Sequence, residues 1–224
     1  QQHRRSGKAH RPGAEPVLPG AEHLPRGEVQ LRGRLSPSLL AGPGLGPSAA
    51  RILNALLTAD AKWKAAVLDA DALNALAAGE LGQFPLLPTN TVLTPHPGEM
   101  ARLTGLSVAQ INADRENTAC QYAEKWNAVV VLKGCRTVVA APDGRVCTNP
   151  TGNPGLARGG SGDVLAGMTA ALLACGLPAY EAAACAVYLH GAAADRAAAA
   201  LGEYGMLPHD ILSQLGRIFA ENHR

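Results

Sequence analysis

"AVVVLKGCRTVVAAPDGRVCTNPTGNPGLARGGSGDVLAG", Ala128 to Gly167, carries three kinds of local signal in a row. Val129 to Leu132 is a continuous apolar, β-branched run with no polar alternation. That pattern predicts a strand buried on both faces, as in a parallel sheet covered by helices. Asp143-Gly144 between apolar runs predicts a hairpin turn. The glycine-rich segment that follows leads into the apolar positions of a helix, and it holds one acid, Asp163. Consecutive glycines let a backbone approach a ligand closely, and their N–H groups can line an anion hole at a helix start. A carboxylate there is favoured in its ionised form by the helix dipole, so Asp163 can serve as a base or an acceptor. It can equally be a plain first-turn acid. The segment is no Walker A loop, because GxxxxGK[ST] is missing.

Outward from this segment the same grammar repeats. "SLLAGPGLG" is a short apolar run ending in a Gly-Pro turn, followed by a helical stretch. "AAVLDADALNALAAG" gives a strand, an acidic turn and a helix. "NTVLTPHPGEMARLTG" gives a strand, a proline-rich loop and a helix opened by Glu99. Leu106 to Asn127 has the periodicity of one amphipathic helix, and three alanine-rich helices follow, centred near residues 170, 190 and 213. Strands alternating with helices predict an α/β layered fold with a mainly parallel sheet. In such sheets ligands bind beyond the carboxyl ends of the strands, so the Gly- and Pro-rich loops are candidates to meet in one cleft.

Composition narrows the function classes. The chain has 224 residues, 47% hydrophobic and 17% charged, and a formal net charge of +2. This is globular, with enough length for a real core. Many of the arginines and histidines lie before residue 35, so the remainder shows no body-wide nucleic-acid footprint. Residues 1–38 lack sustained periodicity and are expected to form an irregular or disordered, solvated arm, with the folded domain spanning 39–224. Five cysteines, odd in number and without CxxC spacing, predict free thiols in a reducing cytoplasm. No apolar run suggests a membrane span, and no charged-then-apolar leader suggests export.

Each loop has a chemical reading and a plain one. Lys133 and Gly134 at a strand end can reach a phosphate, and Thr137 can donate from its hydroxyl; Lys133 can also be simply solvated. His96 in "TPHPGE" can hydrogen-bond a ligand or shuttle a proton, while Glu99 can merely complement a helix dipole. Asp69 and Asp71 suit magnesium or a ribose, although Asp71 reads somewhat better as the N-cap of the next helix.

In chain order the motifs are "GPGLG" (Gly42 to Gly46), "LDADALN" (Leu68 to Asn74), "TPHPGE" (Thr94 to Glu99), "VVVLKG" with Thr137, "GNPG" (Gly152 to Gly155), "GGSGDVLAG" (Gly159 to Gly167) and "HGAAAD" (His190 to Asp195). With "GEYGMLPHDI" (Gly202 to Ile211) they resemble the nucleotide-dependent NAD(P)H-hydrate dehydratases, a branch of the ribokinase-like superfamily. The resemblance covers roughly residues 39 to 220. It implies a three-layer ribokinase-like α/β fold, here lacking the family's usual N-terminal strand-helix unit, since residues 1–38 show nothing like it. It implies repair of hydrated NADH or NADPH: the S form loses water after its hydroxyl is phosphorylated and phosphate is eliminated. ADP would be the co-substrate and yield AMP, with ATP as the other possibility, and Mg²⁺ would bridge phosphate oxygens through protein ligands the sequence leaves unknown. Lys133, Gly134, Cys135, Arg136 and Thr137, with Gly159, Gly160, Ser161 and Gly162, would hold the nucleotide. Gly44, Gly46, His96 and Asp163 would hold the hydrated cofactor, and Asp163 would be the catalytic base. The resemblance further implies a homo-oligomer, the tetramer being frequent among its relatives, and a fused or separate epimerase partner. Arg158 stands where relatives commonly carry a small hydroxyl residue, and can add a phosphate contact or crowd the pocket. The competing readings are a ribokinase-like kinase for a vitamin precursor and a truncated nucleotide-binding remnant without activity. "TPHPGE" together with "GNPG" favours the dehydratase.

Overall fold

The computed structural model describes residues 36–58, 63–81 and 87–222. Their core is a six-stranded sheet in the order β1 (Ser38–Ala41), β2 (Ala65–Leu68), β3 (Asn90–Leu93), β4 (Val129–Leu132), β5 (Val138–Ala140), β6 (Val146–Thr148). The first four strands run parallel, with Leu68 beside Ala41 and Leu93. β5 and β6 are antiparallel, closing the predicted hairpin, where the Gly144 N–H donates to the Ala141 carbonyl. All four residues of β2 and of β4 are buried, as expected for strands covered on both faces.

The two faces are sealed by different helices. Ala66, Leu68 and Leu93 pack with Leu53 of α1 (Ala49–Thr58) and Leu73 of α2 (Ala70–Ala77). Beside them Val130, Leu132 and Val138 pack with Met100 of α3 (Pro97–Thr104), Ile111 of α4 (Val108–Ala113) and Ala119 of α5 (Arg115–Trp126). On the opposite face Val67, Val92 and Val131 meet Leu165 of α6 (Ser161–Ala174) and Ala183 and Ala186 of α7 (Ala179–Leu201). Helix α8 (Pro208–Asn222) closes that layer, burying Ile211 against Ala194 and Ala197 of α7. Complete burial of side chains such as Leu68, Leu93 and Leu132 stabilises the fold by about 1.5–3 kcal/mol each. Three layers around a mainly parallel sheet is the architecture the strand-helix alternation predicts. β1 has β2 as its one neighbour among the described residues, and Leu40 on it is 38% exposed. The expected arm lies almost wholly outside the described residues.

One expected element is corrected. The periodic stretch Leu106 to Asn127 is two helices, because Asp114 leaves the helical region at φ −147°, ψ 69°. A capping box between Ser107 and Gln110 starts α4, and the Asp114 carbonyl accepts from both the N–H and hydroxyl of Thr118 to start α5. The break sets Arg115 at the first position of α5, under the end of β4.

Since β1 to β4 are parallel, their carboxyl ends share one edge of the sheet. Gly42, Asp69, Thr94 to His96 and Lys133 each follow a strand there.

Candidate active site

The floor of the site is a buried ion cluster. Lys133 Nζ lies 2.6 Å from Asp69 Oδ1 and 3.7 Å from Glu99 Oε2, and the side chains of the two acids are 2% and 6% exposed. The Lys133 N–H donates to the Pro95 carbonyl at 2.8 Å, tying the end of β4 to the loop after β3. Lys133 is therefore held in place and not freely solvated. Asp69 occupies the cap position of α2 without a side-chain capping bond. Asp71 was expected as that cap; it sits instead within the first turn and accepts from the Gly46 N–H at 2.8 Å, which fixes the GPGLG loop. Gly42 must be glycine: its φ is +138°, and a Cβ would run into the Asp69 backbone carbonyl.

His96 caps α3. Its Nδ1 accepts from the N–H groups of Gly98 (3.0 Å) and Glu99 (3.3 Å), while Glu99 Oε2 accepts from the His96 N–H at 2.8 Å. With Nδ1 spent as a double acceptor, the neutral ring carries its proton on Nε2, 3.4 Å from Glu99 Oε1. His96 can thus offer a ligand a donor and no acceptor. Of the two roles open in the sequence, hydrogen bonding is compatible with the cap; abstracting a proton is not. Glu99, in turn, does more than complement the dipole, since it locks the cap and faces Lys133.

Above this floor opens a cleft of about 510 Å³. Its lining takes in Lys133 to Thr137, Ser161 and Gly162, with Leu165 and Val187 supplying apolar wall. A Cβ on Gly162 would lie 3.5 Å from Lys133 Nζ and 3.8 Å from Asp69 Oδ2, so the start of α6 and the ion cluster meet. Thr137 spends its hydroxyl proton inside the loop, donating to the Gly134 carbonyl at 3.1 Å. At the α6 start, Gly160 takes the left-handed cap position and the Ser161 N–H is used by the Arg158 carbonyl. Among the described residues this leaves the amides of Gly162 and Asp163 as the unpaired pair at the positive end of a 14-residue helix. Asp163 is exposed, in the first helical turn. Gly159 and Gly160 stand outside the cleft lining, Gly160 against Pro208. Gly44, Gly46, His96 and Asp163 also lie outside it. The residues expected for the nucleotide, other than Gly159 and Gly160, therefore share one cleft, and those expected for the second substrate stand apart from it. Arg158 neither crowds the cleft nor lines it; its Nη2 donates to the Tyr204 carbonyl at 3.0 Å and tethers the glycine turn to the closing segment.

Two structural roles escape a linear reading of HGAAAD. Asp195 accepts from the Gly152 N–H and from Asn153 Nδ2, each at 2.9 Å, holding the GNPG loop against α7. Gly191 makes room for that loop, since a Cβ would meet the backbone carbon of Thr151 at 2.7 Å. His190 beside it is buried and lines the cleft, and its Nε2 has no partner among the described residues. Burial pushes its pKa down to about 4, opposed by a backbone hydrogen bond at Ser161. Between about pH 4 and about 6.5 the unfolded chain then binds more protons than the native one. This contribution to stability is fully present above about pH 6.5 and is lost as pH falls toward about 4. By pH 5 the loss is about 2 kcal/mol. Urea unfolding of wild type and His190→Asn at pH 7 and pH 5 checks this, the variant losing less stability on acidification by about that amount.

Comparison with known proteins was made on this geometry. The family model described as NAD(P)H-hydrate dehydratase matches residues 22–217. A bifunctional NAD(P)H-hydrate repair enzyme of Moorella thermoacetica is 50% identical over 185 residues, 79% of this chain and 33% of that protein. An ADP-dependent (S)-NAD(P)H-hydrate dehydratase of Neisseria meningitidis serogroup B is 48% identical over 155 residues, 69% of this chain and 52% of that protein. The chain thus matches between a third and about half of the length of these relatives. The crystal structure of an ADP/ATP-dependent NAD(P)H-hydrate dehydratase from Bacillus subtilis, co-crystallised with ATP/Mg²⁺, superposes with a TM-score of 0.73 at 36% identity, over 85% of this chain and 68% of that one.

Proposed function

We propose that this chain, which belongs to the NAD(P)H-hydrate dehydratase family, uses its cleft to bind an adenine nucleotide and the start of α6 to dehydrate the S form of hydrated NADH or NADPH. The observation that carries this reading is the convergence of the Lys133–Asp69–Glu99 cluster on the glycine turn, beside an exposed Asp163 and two unpaired helix-start amides. Lys133, held by two carboxylates, places one ammonium where a phosphate would sit on the Gly162 and Asp163 amides. These donors are fixed before the reaction and would stabilise negative charge on the transferred phosphoryl group. Asp163 takes the proton from the attacking hydroxyl of the hydrate. The hydroxyl oxygen bonds the terminal phosphorus as the bridging P–O bond breaks, which releases AMP when ADP is the donor. Phosphate then leaves with its C–O bond electrons as the neighbouring carbon gives up a proton, regenerating the dihydronicotinamide. His96, a donor through Nε2, binds an acceptor atom of the hydrated cofactor, with Gly44 and Gly46 bounding the same side.

Among the described residues no cluster of three or more His, Cys, Asp or Glu forms a metal cage. Mg²⁺ beside a nucleotide is commonly carried chiefly by phosphate oxygens and water, with one or two protein carboxylates. Asp69, whose Oδ2 stands toward Gly162, is the carboxylate placed to join it. When bound, the ion would neutralise phosphate charge.

Incubating the protein with hydrated NADH, Mg²⁺ and ADP should raise the absorbance of regenerated NADH, with ATP compared in parallel. Silence with both nucleotides, beside an active relative, would refute the reading; ATP-dependent phosphorylation of a hydroxymethylpyrimidine or hydroxyethylthiazole would favour the kinase instead. We further propose that the chain works as a homo-oligomer in the cytoplasm. Among the described residues no helix is long and apolar enough to cross a membrane. An epimerase activity accompanies it, fused or separate, since the Moorella thermoacetica relative is named bifunctional.

A further inference from the structure

We infer that Arg115 is a positioning residue for the nucleotide, acting through the peptide planes of the Lys133–Thr137 loop; the inference rests on the reading that the cleft takes an adenine nucleotide. Arg115 Nη2 donates to the Leu132 carbonyl at 2.8 Å and to the Lys133 carbonyl at 3.2 Å, and Nη1 lies 3.3 Å from Asn112 Oδ1. The described chain has no cis peptide bonds. In a trans peptide the N–H points opposite to the C=O. With the Lys133 carbonyl drawn toward Arg115, the Gly134 N–H points away from it, and Gly134 lines the cleft.

The next plane is fixed in the same way from the other end. The Gly134 carbonyl accepts from the Thr137 hydroxyl at 3.1 Å, so the Cys135 N–H points away from that bond. Among the described residues the amides of Gly134, Cys135 and Arg136 have no hydrogen-bond partner. Arg136 takes a positive φ of 56°, uncommon for a residue with a side chain. Successive unpaired N–H groups in such a turn form an anion-binding concavity. Arg115 sits directly behind it: a Cβ on Gly134 would lie 3.1 Å from its Nη2. Its Nε is buried without a partner among the described residues, a cost that three hydrogen bonds at the other nitrogens offset. The sequence hid this role because Arg115 reads as one more charge on an amphipathic helix. The break at Asp114 is what places it under β4.

The test is titration of ADP, with Mg²⁺, into the full chain and its variants by calorimetry, together with dehydratase kinetics. Arg115→Gln should weaken ADP about tenfold or more, equivalent to the loss of one or two charge-assisted contacts. The KM for hydrated NADH should stay within about twofold. Arg115→Lys, which keeps the charge without the forked grip, should fall between Gln and wild type. Arg115→Ala should regain part of its ADP affinity when guanidinium ion is added at a non-denaturing concentration. Unchanged ADP affinity in all three variants would overturn the inference. So would a lowered Tm with both KM values raised alike and no guanidinium rescue. Failure of wild type itself to bind ADP or ATP would instead bring down the nucleotide reading, before any variant is made.

Discussion

Asp163→Asn should lower kcat of the proposed ADP-dependent dehydration by about 10²–10⁴-fold, the range general base catalysis supplies. Asparagine keeps the shape and the hydrogen-bonding oxygen but cannot take a proton from the attacking hydroxyl. Asp163 is exposed at the first turn of α6, and its carboxylate makes no hydrogen bond to another element among the described residues. The substitution should therefore leave Tm nearly unchanged, with a loss below about 1 kcal/mol from the helix dipole. The proposed nucleotide contacts are the neighbouring loop and the Gly162 and Asp163 backbone amides, which asparagine keeps. ADP affinity should therefore change by less than about threefold, near the 0.6 kcal/mol scale of thermal energy. NADH regeneration and ADP calorimetry on one preparation separate these quantities. A variant that turns over like wild type would remove Asp163 as the base.

Lys133→Met should strike stability and function together. The Asp69 carboxylate is 2% exposed and its ammonium partner sits at 2.6 Å. Methionine fills the volume of the lysine stem but leaves that carboxylate buried without a cation. Removing one member of a buried pair costs about 3–5 kcal/mol. For a domain of this size Tm shifts by about 2–4 °C per kcal/mol, so a fall of the order of 10 °C is expected by calorimetry. Adding Asp69→Asn to the variant removes the nearer of the two stranded charges and should recover part of the stability. It should not recover ADP affinity, because the ammonium proposed to meet the phosphate is still gone. Recovery of both together would mean that Lys133 serves the fold alone.

The strands were legible for a simple reason. Val129 to Leu132 and Ala65 to Leu68 are continuous apolar runs, and only a strand covered on both faces buries all of them. The hairpin at Asp143-Gly144 and the helix after the glycine turn were legible from turn chemistry. The break at Asp114 was not, because α4 and α5 together keep a helical period and the interruption lies in one backbone conformation. His96 read as a loop histidine, yet its ring closes a capping box, a role more familiar for serine or aspartate. Asp71 read as a helix cap because caps are local, whereas its partner, the Gly46 amide, is 25 residues away.

The sequence by itself determined the layered α/β architecture, the loops that carry chemistry and the family to which they belong. Local propensity and side-chain periodicity act over a few residues, and those signals are written in order along the chain. The tertiary structure decided which groups touch. Lys133 and Asp69 are 64 residues apart, and Gly152 and Asp195 are 43 apart. Only four parallel strands ending at one edge, with α6 crossing above them, bring such pairs within hydrogen-bonding distance. That arrangement turns Lys133 from a strand-end lysine into a buried ion pair, gives His96 a donor-only face, and leaves the Gly162 and Asp163 amides unpaired beside the cleft.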